Sequence, residues 1–195
     1  LEKNDKQNQI QVYTRIQPDS PLKEFRGEMK VQSTLTALVA LVEDVNAATS
    51  WIHNCGGLDI IERKADNNLI IYMITEAPWP VKNRDSIVES LLSQDPQSLT
   101  VRIDMKVRND VFPEDDEFVR ITNMQGSWTF EPVADGWVNV TYQVHADPGG
   151  GIPNWLINSL VVDAPYYTLK NMREKVREAK YQSPDLVLPH VKNMR

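Results

Sequence analysis

The run Ala146-Asp147-Pro148-Gly149-Gly150-Gly151-Ile152-Pro153, with the apolar-rich stretch that follows it to residue 176, decides how this chain folds. Three consecutive glycines free the backbone to reverse direction, and Pro153 suits the first turn of a helix, where its missing N–H is not needed. Beyond it, Leu156, Leu160, Ala164, Tyr167 and Met172 recur at three- to five-residue steps, roughly the spacing of one helix face. Val161, Val162, Tyr166 and Leu169 widen that stripe beyond the need of a single flat contact. The spacing predicts a C-terminal helix from residue 152 to about residue 180. Pro165 lies inside it, removes one backbone hydrogen bond and predicts a bend.

Working back from that helix, the chain reads as strands. Alternation and turn residues predict strands at 10–16, 25–31, 58–65, 69–77, 85–94, 99–108, 117–131 and 136–146. Two short helices, at 35–45 and 49–54, separate the second strand from the third. Strand 99–108 shows the pattern best: Leu99, Val101, Ile103, Met105 and Val107 fall on one face, Thr100, Arg102, Asp104 and Lys106 on the other. Short turns between consecutive strands imply an antiparallel meander. The expected architecture is α+β, a curved antiparallel sheet wrapped around the C-terminal helix. Such a wrap encloses more space than one helix fills, which predicts an internal apolar cavity suited to a small molecule. One domain is expected over residues 1–181. Residues 1–9 read as a loop or frayed end and residues 182–195 as an exposed tail, with Leu186-Val187-Leu188 a segment that could dock.

Composition removes several functions. The formal charge of −6 over 195 residues, with scattered basic residues, is not the footprint of a nucleic-acid binder. No apolar run reaches the roughly 18 residues of a membrane span. Because the sequence starts at Leu1, a periplasmic location is expected if a signal peptide has been removed and a cytoplasmic one otherwise. His53, His145 and His190 lie on different elements without ligand spacing, so neither a metal nor another cofactor is expected. Cys55 has no base matched to it in sequence, and Ser127 lies outside any strand-turn-helix elbow. No catalytic residue is assigned. Arg84-Asp85 reads either as an ion pair at a strand start or as a ligand contact. Trp79 is a loop anchor or part of a pocket mouth, and Trp128 and Trp155 are core residues or ligand contacts.

Three motifs together resemble a known family: Ala77-Pro78-Trp79-Pro80-Val81-Lys82-Asn83-Arg84-Asp85, Gly126-Ser127-Trp128, and the glycine turn with its helix start through Trp155 and Leu156. Their order and spacing resemble START domains, the steroidogenic-acute-regulatory-related lipid-transfer fold, over residues 10–176. The resemblance implies a helix-grip fold that holds a single lipid, such as a phospholipid, under the C-terminal helix, without catalysis. It implies lipid phosphate at Arg84 and transient contact with a membrane surface. Arg102, Asp104, Trp79, Trp128, Trp155, Leu156, Leu160 and Ala164 are the other expected ligand contacts, with Gly149, Gly150 and Gly151 as a hinge. Positions where phospholipid-binding members carry choline-caging aromatics are Gln143 and Val144 here. Those of the sterol-type charge pair are near Ile71 and Ser90. Competing readings are an enzyme on the same scaffold, with His145, Arg102 and Asp104 converging in the cavity, and a ligand-sensing interaction module.

Overall fold

The structure, a computed structural model, describes residues 1–18, 22–153, 156, 157 and 159–194. Segments with alternating apolar residues form strands wherever one face can be buried, and here they join in one sheet. In chain order these are β1 (Lys3–Asp5), β2 (Ile10–Ile16), β3 (Lys23–Gln32), β4 (Cys55–Ala65), β5 (Asn68–Thr75), β6 (Arg84–Gln94), β7 (Val101–Val107), β8 (Val119–Arg120), β9 (Asn123–Val133) and β10 (Trp137–Asp147). Across the sheet the order is β1-β2-β3-β10-β9-β7-β6-β5-β4, and each of these neighbours pairs antiparallel. The two-residue β8 lies off this path, parallel to the start of β6 at Arg84 and Asp85, ahead of the point where β7 begins to pair.

Several expectations need adjustment. The N-terminal residues supply β1, and the expected strand 117–131 divides into β8 and β9. The second short helix is a 3-10 segment, Val45–Ser50, and Trp51 follows it. The C-terminal helix is not continuous: a π-helical turn, Ser159–Asp163, leads into an α-helix, Ala164–Lys175, and a separate short helix, Ala179–Gln182, follows. Pro165 falls at the junction where the π-helical turn passes into the α-helix, so the change in helical hydrogen bonding coincides with the residue that lacks an N–H.

The concave face of the sheet carries Ile10, Val12, Met29, Val31, Val101, Ile103, Trp128, Phe130, Val138 and Val140 into one core with Leu169, Met172 and Val176. Close approach of helix to sheet depends on Gly27 of β3, where an added Cβ would sit 2.7 Å from Leu169 Cδ1. The helix Leu35–Glu43 is capped by Thr34, whose hydroxyl accepts from Ala37 N at 3.1 Å, and buries Leu35, Leu38, Val39 and Leu41. The tail does not hang free as expected. Leu188 packs on the core, Val191 is buried, and the Asn193 side chain bonds Thr36 through both its N–H and Oγ1. Burial of Val191 and polar pairing with the first helix hold it, and of the segment Leu186-Val187-Leu188 it is Leu188 that packs on the core while Val187 remains exposed.

Candidate functional site

Two largely apolar spaces lie on the concave face, an outer one under the C-terminal helical segment and an inner one under the helix Leu35–Glu43 and the 3-10 segment after it. The outer chamber, about 150 Å³, is walled by Phe25, Met124, Val144, Leu160, Val161 and Ala164, among others. The inner chamber, about 80 Å³, is walled by Val42, Leu58, Leu69, Leu92, Ile103 and Trp128. Ile52, Met73 and Tyr142 line both, so the two are successive parts of one cavity separated by these three side chains. Alternation explains the lining: Tyr142, Val144 and Ala146 of β10 point inward together because side chains two apart share a face.

The aromatic residues are locked around the pinch. Tyr142 and Trp128 are cross-strand partners and stack with centroids 3.9 Å apart, while Phe25 meets Tyr142 edge-on at 5.1 Å. Burial pushes the Tyr142 phenol up to about 12. The outer chamber also has polar lining: His53, Thr75, Ser86, Thr168 and Lys23. Burial pushes the His53 pKa down, against the pull of Asp163, so the imidazole is neutral near pH 7. Its ring stacks on Tyr167 at 5.1 Å. Burial raises the Cys55 thiol, which leaves little thiolate there.

Of the residues expected from sequence, Leu160 and Ala164 line the outer chamber and Trp128 the inner one, while Leu156 is buried. Trp155 lies outside the described residues. Trp79 stands on the loop between β5 and β6, 91% exposed and away from both chambers. Arg102 and Asp104 belong to the outer face, where they pair with each other at 2.8 Å in a solvent-filled groove with Glu24, Glu89, Lys106 and Gln143. The reason is the pleat: Val101 and Ile103 are buried in the core, so their neighbours face away from it. His145 falls on that same outer face, between the inward Val144 and Ala146. The three groups that an enzyme reading needed inside the cavity are therefore outside it.

Arg84 and Asp85 do not pair with each other. Arg84 is 5% exposed, and its guanidinium donates to three main-chain carbonyls: Pro148 at 3.2 Å, Gly149 at 3.3 Å, and Lys82. Burial pulls its pKa below the usual arginine value. Asp85 instead takes a bidentate fork from Arg120, with N···O distances of 2.9 and 2.8 Å, and a third bond from the Tyr72 hydroxyl at 3.1 Å. Arg120 uses its remaining donors on the carbonyls of Phe112 and Pro113. The turn that Arg84 grips has left-handed backbone at Gly149 and Gly150, with φ of 63° and 67°, a conformation that glycine adopts without steric cost. Gly151 shows no such φ.

Sequence reasoning missed Ile52, Met73 and Tyr142, the residues that shape the cavity. The inward alternation of Val138, Val140, Tyr142 and Val144 was the signal for Tyr142. Among the described residues no cluster of three or more His, Cys, Asp or Glu side chains could hold a metal, and no helix is long and apolar enough to cross a membrane.

Comparison with known proteins agrees with this geometry. The chain is 33% identical over 164 residues to an uncharacterised protein of Pseudomonas aeruginosa, PA1579, covering 84% of this chain and 80% of that one. It is 24% identical over 167 residues to the phosphatidylcholine transfer protein of Rattus norvegicus, covering 84% and 77%. A crystal structure of a STAR-related lipid transfer protein from Xanthomonas axonopodis superposes with a TM-score of 0.81 at 36% identity, over 90% of this chain and 97% of that one. The START domain family model matches residues 2–181, and with a curved antiparallel sheet gripping a C-terminal helix over an apolar cavity, this chain belongs to the START domain family.

Proposed function

We propose that this protein binds a single lipid in the two-chamber cavity and carries it without chemical change. The observation that carries the reading is the apolar cavity itself, lined from the sheet by Phe25, Met73, Tyr142 and Val144 and from the helix by Leu160, Val161 and Ala164. Burial of a ligand's hydrocarbon there supplies affinity at about 25 cal/mol per Å², less the costs of confinement and ordering. Membership in the START domain family and the likeness to a phosphatidylcholine transfer protein and a STAR-related lipid transfer protein support the same ligand class.

The chambers, about 150 and 80 Å³, are each below the roughly 300–1,000 Å³ of typical ligand pockets. A two-chain lipid would therefore need the wall to move. The segment suited to moving is the glycine turn with the π-helical turn after it, because π turns and left-handed glycines mark backbone that departs from regular hydrogen bonding. Arg84 grips that turn, and a ligand phosphate reaching it would exchange for the carbonyls of Pro148 and Gly149. At the same end, the loop bearing Trp79 is tied to the following long loop, where Lys82 Nζ donates to Asp116 O at 2.8 Å and Phe112 is half exposed. Two exposed aromatics beside the turn support transient contact with a membrane surface.

Native mass spectrometry of the purified full chain, with extraction and identification of what it carries, tests the function. One lipid per chain, transferable between vesicles, is the expected result. Preparations that stay empty and move no lipid between phosphatidylcholine vesicles would overturn it.

A further inference from the structure

The wall of the inner chamber includes one fully buried hydrogen-bond donor without an acceptor among the described residues. Trp51 is 1% exposed, and its Nε1–H has no partner among the described residues. The Tyr142 hydroxyl, on the ring shared by both chambers, makes no hydrogen bond among them either. Buried donors are almost always satisfied, so the Trp51 indole N–H points to a missing acceptor, and the partly buried Tyr142 hydroxyl on the same wall is a second donor that could share it. Neither ring is free to swing toward one. The main-chain carbonyl of Trp51 accepts from Asn171 Nδ2 at 3.1 Å, and both rings pack on Trp128, with centroids 6.0 and 3.9 Å away.

The remaining polar lining limits what that acceptor can be. It consists of Glu43, Asn67 and Ser90, and the lining includes no Lys, Arg or His. Asn67 spends its amide N–H on Leu92 O at 2.9 Å, and Glu43 faces His190 of the tail at 3.3 Å. A phosphate or carboxylate entering this chamber would meet a carboxyl and no cation, and burying a charge without a partner is costly. A neutral carbonyl or hydroxyl oxygen would satisfy the indole or phenol donor with no charge to bury. The cationic side chain of the cavity, Lys23, lines the outer chamber instead.

Resting on the lipid-binding reading, we propose that the inner chamber is a specificity subsite for the neutral oxygenated end of a single-chain amphiphile such as an alcohol, ketone or ester. Trp51 Nε1–H and the Tyr142 hydroxyl donate to its oxygen, and its hydrocarbon passes Ile52 and Met73 into the outer chamber beneath the helix.

Displacement of the apolar fluorophore N-phenyl-1-naphthylamine from the full chain by 1-decanol, 2-decanone, decanoate and decane tests the proposal. The alcohol and ketone are expected to displace the dye at about tenfold lower concentration than decane, the value of one net buried hydrogen bond. Tyr142→Phe keeps its ring and removes only the hydroxyl, whereas Trp51→Phe removes the indole N–H together with one ring, so its decanol-to-decane ratio is read rather than its absolute displacement values. At least one of them is expected to erode the ratio of decanol to decane displacement, and the one that does so is the donor used. A variant that fails to fold leaves the other to decide. Equal displacement by decane and decanol, tighter displacement by decanoate than by decanol, or a preference unchanged in both variants overturns the subsite and leaves a lipid-binding protein standing. A dye that neither binds nor is displaced, on a chain that also carries no lipid, overturns the lipid reading and the subsite with it.

Discussion

Arg84 and Arg120 are both buried cations at the same end of the sheet, yet they are held in opposite ways. Arg120 forks onto the carboxylate of Asp85, and Tyr72 adds a bond to the same carboxylate. Arg84 has carbonyls only, two of them from the turn before the C-terminal helical segment. A carboxylate partner neutralises a buried cation and fixes it, whereas carbonyl dipoles satisfy its N–H groups and leave its charge uncompensated. The first arrangement suits a permanent brace. The second suits a contact that a stronger acceptor can replace, and it sits where the wall of the cavity would have to open.

Three substitutions break or sharpen this contrast. Asp85→Ala leaves the Arg120 charge buried without its partner and is expected to cost about 3–5 kcal/mol of stability, read from denaturant unfolding. A loss below about 1 kcal/mol would show that the brace is not one. Arg84→Met removes donors from the Pro148 and Gly149 carbonyls and is expected to cost less, about 1–3 kcal/mol, while speeding exchange of bound lipid severalfold. Unchanged exchange kinetics in the folded variant would separate Arg84 from the gate. The smallest effect belongs to Tyr72→Phe. Burial first, then Asp85, raises the Tyr72 pKa, so the folded state favours the neutral phenol. That contribution is whole below about pH 10 and fades as pH rises through the raised value. The variant should therefore be about 0.5–1.5 kcal/mol less stable at neutral pH, where the bond to Asp85 is lost, and should lack part of the alkaline decline; an alkaline limb identical to wild type would remove Tyr72 from the brace.

The contrast also marks how far the sequence could be read. Strand 101–107 showed its two faces by alternation, and the wide apolar stripe of residues 156–172 announced a helix with more than one thing to touch. Adjacency misled at Arg84-Asp85: neighbours on a strand project to opposite faces, so the two cannot share a contact. The true partner of Asp85 follows 35 residues later and is set by the parallel register of β6 and β8, which pairs Asp85 with Arg120. A two-residue strand carries no periodicity from which that register could be foreseen. The docked tail escaped for a similar reason, since Asn193 and Thr36 lie 157 residues apart and each reads locally as an ordinary polar residue. Family motifs pointed to the cavity as a whole but not to Ile52, Met73 and Tyr142, whose roles arise from where three separate elements meet.

Those three side chains give the cavity a way of measuring length. Ile52 and Met73 are aliphatic and can rotate aside, whereas Tyr142 is clamped by Trp128 and Phe25. A short hydrocarbon can be accommodated on the near side of this threshold without disturbing it. A longer one must cross, and each added methylene beyond the crossing is rewarded only if the far side has room to receive it. Affinity plotted against chain length should then rise, pause and rise again before falling, and the position of the pause would locate the threshold along the ligand.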